Sequence, residues 1–326
     1  MIKKYNFAIL SAGHIAEVMA ETLHKMTNEL TPYAVGARDI KRAKALADKF
    51  GFKKSYGSYD ELIKDKNIDI IYVASPHSHH FEHVKMCLNS GKHVLCEKAF
   101  TANEKQAKEI VDLAKKKGLF LGEAVWTRFM PWVKKVKEVL RSGVIGEISA
   151  VQCGFGQPLL HVERLTSPAL AGGALLDLGI YPLTFASLIL GKDIQKISGE
   201  AALTDKGVDA QNSITLKYKS GKMAFLSSCM TAWMPNTGVI CGSLGYIVAH
   251  DFWKCQRFTV CVRGREPYDV SCSFEISGYE YEVRAAIKAI NEKRLYCDEM
   301  TWDESVRLMG VMDTLRNMWG IKYPFE

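Results

Sequence analysis

The chain has 326 residues, of which 48% are hydrophobic and 24% charged, as expected for a globular protein with two domains of ordinary size. No apolar run approaches the roughly 18 residues that span a bilayer, and the N-terminus lacks a signal-peptide pattern, so we expect a cytoplasmic protein without a membrane partner. The net charge of +7 indicates either solvated helix faces or attraction of an anionic ligand such as a phosphorylated cofactor. The sequence contains no recognised nucleic-acid-binding module, so we expect no nucleic-acid partner.

The nine cysteines are scattered between Cys87 and Cys297, and no two of them form a C-x-x-C pair. An odd number of cysteines in a chain without an export signal predicts free thiols that pack as small core residues. The same spacing argues against a structural zinc site.

The first 121 residues alternate short apolar runs with helical patterns. The predicted strands are Phe7–Leu10, Tyr33–Gly36, Ser55–Tyr56, Ile68–Ala74, His93–Cys96 and Leu119–Leu121. The predicted helices are a first one ending near Met26, then Lys41–Phe50, Tyr59–Lys64, His79–Ser90 and Ala102–Lys117. Because the fourth strand is almost continuously apolar, it is expected in a sheet covered on both faces. The alternation predicts an α/β Rossmann domain with a doubly wound parallel sheet.

The pattern changes near residue 147 to β-rich segments separated by Gly, Asn and Asp. The predicted strands are Ile148–Cys153, Ser213–Tyr218, Lys222–Cys229 and Gly245–Ala249, and the predicted helices are Leu175–Leu190, Tyr279–Lys293 and Trp302–Trp319. We therefore predict an α+β C-terminal domain with a large, mostly antiparallel open sheet. The predicted domains are residues 1–123 and 124–326.

The turn after the first strand, Ser11-Ala12-Gly13-His14-Ile15-Ala16, occupies the place of a G-x-G-x-x-G/A nucleotide loop. In that loop the glycines let the backbone approach a pyrophosphate at a helix N-terminus. Gly13 and Ala16 fit this pattern, whereas Ser11 replaces the first glycine. An ordinary strand–turn–helix is the alternative interpretation.

The end of the second strand carries Arg38 and, one helical turn later, Arg42. NAD-binding sites usually place a carboxylate there to bind the ribose hydroxyls, whereas two guanidinium groups can bind a 2′-phosphate. This pair favours NADP over NAD. The alternative is a solvated helix start with Asp39 near its N-terminus.

Two further motifs follow the predicted strands Ile68–Ala74 and His93–Cys96, and two others lie later in the chain. They are Ser75-Pro76-His77-Ser78-His79-His80, Cys96-Glu97-Lys98-Ala99, Glu123-Ala124-Val125-Trp126-Thr127-Arg128-Phe129 and Gly172-Gly173-Ala174-Leu175-Leu176-Asp177-Leu178-Gly179-Ile180-Tyr181. The first two stand at carboxyl ends of predicted parallel strands, where α/β sheets place their ligands. With these motifs the chain resembles the glucose–fructose oxidoreductase, inositol dehydrogenase and MocA (Gfo/Idh/MocA) family over nearly its whole length, and within it the dimeric dihydrodiol dehydrogenase branch, which also oxidises D-xylose.

The resemblance implies three catalytic residues, Lys98, Asp177 and Tyr181, for oxidation of a secondary alcohol or reduction of a carbonyl. Tyr181 would be the general acid or base, Lys98 would stabilise its phenolate, and Asp177 would orient the lysine. Ala99 stands where the family usually has proline, and Tyr181 stands where most members have histidine. The structural alternatives are a solvated Lys98 and an Asp177–Tyr181 pair that only packs.

Sequence and resemblance together give a set of predicted ligand contacts. The predicted cofactor-binding residues are Ser11, Gly13, His14, Ile15, Arg38, Arg42, Ser75, His77, His80, Glu97, Lys98, Trp126 and Arg128. The predicted substrate pocket contains Trp126, Phe155 and Tyr181, although packing of the interdomain core is the alternative for the aromatic residues. The histidines from His77 to His83 could suggest a metal, but the resemblance places them beside the cofactor, and we expect no metal site.

The leading functional hypothesis is an NADP-dependent dehydrogenase or reductase acting on CH–OH groups of a small sugar, polyol or cyclic trans-diol. A glycosidase using redox-assisted elimination on the same scaffold would need a further acid–base set. A non-catalytic NADP-binding sensor or regulator is the main alternative, and retention of Lys98 and Tyr181 argues against it. The resemblance also implies a homodimer formed through the C-terminal sheet.

Overall fold

A computed structural model describes residues 4–326, which fold into two compact units. Within the described residues, the first contains 4–126 and Glu275–Arg307, and the second contains Thr127–Phe274 and Leu308–Glu326. The boundary proposed at residues 123 and 124 stays a prediction. The structure adds that residues 275–307, placed with the second domain from the sequence, join the first unit.

The first unit contains a parallel sheet in the order β3-β2-β1-β4-β5-β6, six strands within the described residues. The strands are β1 (Asn6–Leu10), β2 (Thr31–Gly36), β3 (Lys54–Tyr56), β4 (Ile70–Val73), β5 (His93–Glu97) and β6 (Leu121–Ala124). The helices are α1 (His14–Lys25), α2 (Ile40–Phe50), α3 (Tyr59–Lys64), α4 (His77–Asn89), α5 (Glu104–Lys117) and α9 (Glu280–Asn291). The order and the parallel pairing confirm the predicted Rossmann sheet.

Local sequence signals explain the ends of these helices. The Asp39 carboxylate accepts the Lys41 N–H at the start of α2, and the Asn103 side chain accepts the Gln106 N–H at the start of α5. Both helices end at a glycine with a left-handed backbone, Gly51 and Gly118. Such paired start and stop signals made these segments recognisable from the sequence.

Helix α9 joins the first unit because its apolar face covers the core of the Rossmann sheet. Val283 is fully buried in that core, and Ile287 and Ile290 pack against it. On the outer strand β6, Leu121 donates its N–H to the Leu295 carbonyl. The Leu121 carbonyl accepts the Trp302 indole N–H at 2.8 Å. The segment after α9 therefore supplies hydrogen-bond partners at the edge strand.

The second unit contains a sheet in the order β14-β13-β12-β11-β7-β10-β9-β8, eight strands within the described range. The strands are β7 (Ile148–Gly156), β8 (Ile194–Leu203), β9 (Asp209–Tyr218), β10 (Met223–Cys229), β11 (Gly238–Gly242), β12 (Gly245–Ala249), β13 (Arg257–Val262) and β14 (Tyr268–Ser271). The β7–β10 pair is parallel and the other pairs are antiparallel. The predicted α+β domain with a mostly antiparallel sheet is confirmed.

The remaining helices are α6 (Pro131–Arg141), α7 (Glu163–Thr166), α8 (Ile180–Leu190) and α10 (Trp302–Met318). The residues of α10 divide between the two units. In the second unit, the fully buried Trp132 of α6 stacks on Phe185 of α8, with ring centroids 5.8 Å apart. The Trp132 indole N–H donates to the Thr127 carbonyl at 3.0 Å. These contacts place α8 in the core of the unit.

The stretch Pro168–Leu190 corrects the expectation that no segment reaches membrane-spanning length. It is 23 residues long and apolar enough to pass a length-and-composition test for a membrane span. However, 78% of its most apolar 18-residue segment is buried inside the structure, as in the core helix of a globular protein. All nine cysteines are free thiols, as predicted.

Candidate active site

The loop between β1 and α1 has the geometry of a nucleotide-binding turn. Ser11 has a φ of 106°, a left-handed conformation that favours glycine and costs other residues about 1–3 kcal/mol. Serine thus adopts the backbone that the first glycine of the motif normally provides. A Cβ atom at Gly13 would meet only Ser11 Oγ, at 4.0 Å, so the space in front of the loop is open to a ligand.

Gly13 is also the N-cap of α1 and provides no side-chain hydrogen bond to the helix. The exposed His14 and the half-buried Ile15 follow as the first helical residues. The first N–H groups of a helix lack partners within the helix and carry a partial positive charge, which suits an anionic phosphate. The open turn and the uncapped helix together fit a pyrophosphate.

The arginine pair lies at the carboxyl end of β2. The Arg42 guanidinium donates to the Ala12 carbonyl at 2.7 Å, which places it against the nucleotide loop. Arg38 is exposed, directly after the strand. Asp39, the acidic residue in this segment, uses its carboxylate to cap α2 at 2.8 Å from the Lys41 nitrogen. Arg42 is therefore beside the loop, while the neighbouring Asp39 carboxylate is engaged in capping the helix.

The histidines cluster around the start of α4. His80 is fully buried, and its Nδ1 and Nε2 lie 2.8 Å from the carbonyl oxygens of Ala99 and Ser75. Burial lowers the pKa of His80 to about 4, so the neutral ring has one N–H for these two carbonyls. His77 is buried with its ring centroid 5.7 Å from that of His80.

His79 and His83, which are not among the predicted cofactor-binding residues, lie with their ring centroids 5.6 Å apart. The pKa of His79 is lowered by burial and by the positive charge of Arg38. His83 Nδ1 is 2.9 Å from Ser75 Oγ. Among residues 4–326, no group of three or more His, Cys, Asp or Glu side chains is arranged to hold a metal ion.

The turn that carries Lys98 is held by hydrogen bonds at three consecutive residues. Lys98 N–H donates to its neighbour Glu97 at 3.1 Å, and the Ala99 carbonyl faces His80. Phe100 N–H donates to Glu123 Oε1 at 3.0 Å. Glu97 and Glu123 are 5% and 2% exposed, so two carboxyl acceptors are buried behind the turn.

The two predicted cofactor-binding residues after β6 belong to different units of the structure. Trp126, at the end of the first unit, stacks on Tyr279 with ring centroids 4.1 Å apart. Arg128 belongs to the second unit, where the pKa of Lys137 is lowered by burial and by the Arg128 charge. The stacking on Tyr279 accounts for the packing of Trp126. The predicted roles of Trp126 and Arg128 toward a cofactor stay predictions.

In the second unit, Asp177 and Tyr181 lie on one continuous helix. Its first turn, Leu175–Gly179, is a π-helix, and α8 follows directly. Such π-helical turns are frequent at functional sites. Asp177 Oδ1 accepts a hydrogen bond from Arg164 at 3.2 Å. Arg164, on α7, was absent from the predicted site because no spacing rule connects it to Asp177.

An aromatic cluster surrounds Tyr181 in the same unit. The Phe155 ring lies edge-on to Tyr181 at 5.5 Å and stacks on Trp253 at 5.1 Å, and Trp253 is 6.3 Å from Tyr181. The Trp253 carbonyl accepts the Thr127 hydroxyl at 2.6 Å. Trp253 was missed from the sequence, where its only signal was a Phe–Trp pair in a short segment between strands. Phe155 and Tyr181 are in contact, and their assignment to a substrate pocket stays a prediction.

Comparisons with known proteins agree with this architecture. Residues 5–124 match the family described as "Oxidoreductase family, NAD-binding Rossmann fold", and residues 133–248 match the "GFO/IDH/MocA C-terminal domain". Trans-1,2-dihydrobenzene-1,2-diol dehydrogenase of Xenopus laevis is 34% identical over 98% of this chain and 99% of that protein. The Mus musculus protein of the same name is 39% identical over 78% of this chain and 77% of its own length.

Solved structures show the same fold. A 3-ketoreductase from Actinomadura kijaniata, in complex with NADP and TDP-benzene, superposes with a TM-score of 0.88 at 25% identity, covering 97% of this chain and 98% of that one. Aldose-aldose oxidoreductase from Caulobacter crescentus, complexed with glycerol, is similar in fold, with a TM-score of 0.86 at 21% identity over 97% of each chain.

The Rossmann sheet, its nucleotide loop and these likenesses define the class: the protein is an NAD(P)-dependent oxidoreductase, as predicted. Within that class, the chain belongs to the Gfo/Idh/MocA family. The resemblance drawn from the motifs is thereby confirmed at the level of family and fold.

Proposed function

We propose that the protein transfers a hydride between NADP and a secondary alcohol or carbonyl of a sugar, polyol or cyclic trans-diol. Tyr181 is the general acid or base, assisted by Lys98 and Asp177. The observation that carries the proposal is the Lys98 turn, where three consecutive residues are hydrogen-bonded to buried side chains. A turn that only connected β5 to α5 would not need buried carboxylates to hold it, because burying a charge is costly.

The nucleotide loop and the arginine pair support binding of NADP. The open space in front of Gly13 and the uncapped start of α1 suit the pyrophosphate. Arg38 and Arg42 suit a 2′-phosphate, because two guanidinium groups can donate several charge-assisted hydrogen bonds to it. Engagement of Asp39 as a helix cap supports NADP over NAD, since NAD sites use a carboxylate for the ribose hydroxyls.

The bound nicotinamide supplies the hydride acceptor or donor. The remaining chemistry is proton transfer at the substrate oxygen, which the protein's own side chains perform. In the oxidation direction, Tyr181 takes the hydroxyl proton, and the Lys98 ammonium stabilises the phenolate that forms. In the reduction direction, Tyr181 returns the proton to the carbonyl oxygen. Asp177 orients the lysine, and Arg164 holds the Asp177 carboxylate in place.

The aromatic cluster supports a cyclic substrate. Phe155 and Trp253 are stacked at 23° beside Tyr181 and offer apolar faces near the proposed proton-transfer group. Sugar rings and cyclic diols can pack an apolar face on such rings while their hydroxyls meet polar groups. The names of the relatives, a dihydrobenzene-diol dehydrogenase and a 3-ketoreductase, support the same range of substrates. Trp126 is proposed as a further contact of cofactor and substrate.

The test is turnover monitored through NADPH absorbance on a panel of sugars, polyols, cyclic trans-diols and carbonyl compounds. Because each proposed residue acts in proton transfer, Lys98→Met and Tyr181→Phe should each lower kcat by about 100-fold or more. Lys44→Met and Tyr33→Phe are matched controls, since Lys44 pairs with Asp48 on an exposed helix face and Tyr33 donates to Asp65. They should leave kcat unchanged.

Wild-type turnover that both active-site variants retain would contradict the mechanism. Tight NADPH binding without turnover on any member of the panel would instead favour the non-catalytic sensor or regulator. Equal loss of NADP and NAD binding in Arg38→Ala would remove the phosphate-binding assignment.

We also propose a cytoplasmic homodimer that forms through one face of the eight-stranded sheet. Phe225 on β10 and Tyr246 on β12 are 45% and 47% exposed, and apolar side chains on an open sheet face favour association. Sedimentation equilibrium should give twice the mass of the chain, and Phe225→Glu should lower it to that of a monomer. A monomeric wild-type protein would contradict the proposal.

A further inference from the structure

Four ionisable side chains of the first unit form a buried cluster behind the Lys98 turn: Tyr72 on β4, Glu97 at the end of β5, and Tyr279 and Glu282 at the start of α9. Tyr72 and Glu282 are fully buried, and Glu97 is 5% exposed. The pKa of Tyr72 is raised well above its ordinary value, first by burial and then by the charges of Glu97 and Glu282. The cluster is therefore electrostatically connected.

Within this cluster, Glu97 acts as an acceptor at both carboxylate oxygens. The Tyr72 hydroxyl donates to Oε1, and the Lys98 backbone N–H donates to Oε2 at 3.1 Å. An ionised carboxylate accepts hydrogen bonds at both oxygens, whereas a protonated one must donate from one of them. These two donors favour Glu97 as the anion of the cluster.

Glu282 is in the opposite situation. Neither of its oxygens has a hydrogen-bond partner in the part of the chain that the structure describes. Burial, followed by the negative charges of Glu97 and Glu280, raises the pKa of Glu282 well above its ordinary value. An ionised carboxylate without hydrogen bonds in such surroundings would be very costly.

Five groups of the described residues interact electrostatically with Glu282, and none of these five is a cation. They are Glu97, Tyr72, Tyr279, Glu280 and Cys297. Glu280 accepts the N–H groups of Ile276, Ser277 and Gly278 at 2.9, 2.9 and 2.6 Å. These bonds outweigh its burial and lower the pKa of Glu280, so it is a second anion beside Glu282.

We propose that Glu282 is a protonated carboxylic acid and a positioning residue for Lys98. Its neutral side chain leaves Glu97 as the anion that accepts the Lys98 N–H, and so keeps the backbone of the Lys98 turn in place. Two adjacent buried carboxylates cannot both ionise without strong repulsion. The positioning role rests on the proposed function, since it matters to activity only if Lys98 acts in the reaction.

The proposal has a consequence for the pH dependence of activity. When Glu282 loses its proton at alkaline pH, a second negative charge enters the cluster and repels Glu97. The hold of Glu97 on the Lys98 N–H is then weakened, and kcat falls. Glutamine has nearly the same shape as a protonated glutamate and cannot ionise, so Glu282→Gln removes this loss.

The first experiment locates the proton without using turnover. Infrared difference spectra between the ligand-free wild-type protein and Glu282→Gln are recorded at neutral pH. The expected result is loss of a protonated-carboxyl C=O stretching band in the variant. Glu280→Gln is the matched control, and it should lose carboxylate bands instead. A Glu282→Gln spectrum that loses carboxylate bands and no protonated-carboxyl band would overturn the proposal.

The second experiment compares pH profiles of kcat for the wild-type protein, Glu282→Gln and Glu282→Met, which is also neutral. Relative to its value at neutral pH, alkaline kcat should be about tenfold higher in the neutral variants than in the wild-type protein, because they lack the Glu282 ionisation. Unshifted alkaline limbs in the folded variants would overturn the positioning role. One folded variant of the two is sufficient for this comparison.

Tyr72→Phe tests the hydrogen bond that Tyr72 donates to Glu97 within the buried cluster. It removes the hydroxyl that donates to Glu97, so kcat should fall about tenfold while KM for NADPH changes little. Tyr33→Phe is the matched control, because Tyr33 donates to Asp65 at 3.2 Å instead. A fall in kcat as large in Tyr33→Phe would overturn the assignment. Absence of turnover in the wild-type protein would overturn the proposed function alone, and the infrared comparison would then decide where the proton resides.

Discussion

Replacement of Asp209 by asparagine should change how the stability of the second unit depends on pH. Asp209 is 1% exposed at the start of β9. Its Oδ2 accepts the Leu175 N–H at 2.7 Å, at the start of the helix that carries Asp177 and Tyr181, and an Asn212 N–H at 2.8 Å. Burial outweighs these bonds and raises the pKa of Asp209 from 3.8 to about 7.

The sign and size of the effect follow from linkage. Between pH 3.8 and about 7, the folded carboxyl keeps a proton that the unfolded chain releases. The free energy of unfolding therefore falls as the pH rises through this window and is flat above it. A difference of about three pH units, at about 1.4 kcal/mol for each, corresponds to a loss of about 4 kcal/mol. The asparagine side chain of the variant keeps an acceptor oxygen and cannot ionise.

The measurement is urea unfolding, followed by tryptophan fluorescence, of the wild-type protein and Asp209→Asn at a series of pH values from about 4 to about 8. The two proteins should agree within about 1 kcal/mol at the acidic end, and the variant should be more stable by up to about 4 kcal/mol at the alkaline end. Asp205→Asn, in the exposed turn before β9, is the control and should follow the wild-type curve. Parallel curves for Asp209→Asn and the wild-type protein would refute the reasoning.

Three further changes have defined outcomes. Arg38→Ala should weaken NADP binding about tenfold more than NAD binding in fluorescence titrations, because it removes a charged donor to the 2′-phosphate; equal weakening would contradict this. Trp132→Ala should cost about 3–5 kcal/mol in urea unfolding, because it leaves a cavity under Phe185; a cost near zero would contradict the packing. Asp65→Asn should flatten the loss of stability below about pH 4. Burial raises the pKa of Asp65, but hydrogen bonds from Lys54 and Tyr56 lower it by more. The stabilisation by Asp65 is therefore present above the pKa of the unfolded chain and is lost on acidification. An acid dependence that is the same in the variant would contradict this role of Asp65.

The Rossmann unit was predictable because its signals are local. The predicted strand His93–Cys96 is observed as His93–Glu97, and the helix predicted as His79–Ser90 is observed as His77–Asn89. The last strand was displaced, from Leu119–Leu121 to Leu121–Ala124, since an apolar run shows where a strand lies better than where it begins. The sequence placed Arg38 and Lys98 near the carboxyl ends of predicted parallel strands, where ligand-binding groups gather. The catalytic role of Lys98 came from the family resemblance, and the roles of both residues stay predictions.

The second unit was harder to predict. Strand β8 (Ile194–Leu203) has largely exposed or half-exposed residues and no strict alternation, and β14 has only 4 residues. Helix α6 was missed from the sequence although its apolar residues Trp132, Val133 and Val136 are buried on one face. For these elements, sheet pairing across long sequence separations decides the structure.

The sequence by itself determined the family, the Rossmann order of elements and the chemical types at the strand ends, because these depend on periodicity and on motifs of a few residues. Only the tertiary structure decided which distant side chains complete the sites. Trp253 packs on Phe155, Arg164 holds Asp177, and Glu282 is buried without hydrogen bonds in the cluster that contains Glu97. These relations depend on sheet register and on the burial of charge, and neither is encoded in the spacing of neighbouring residues.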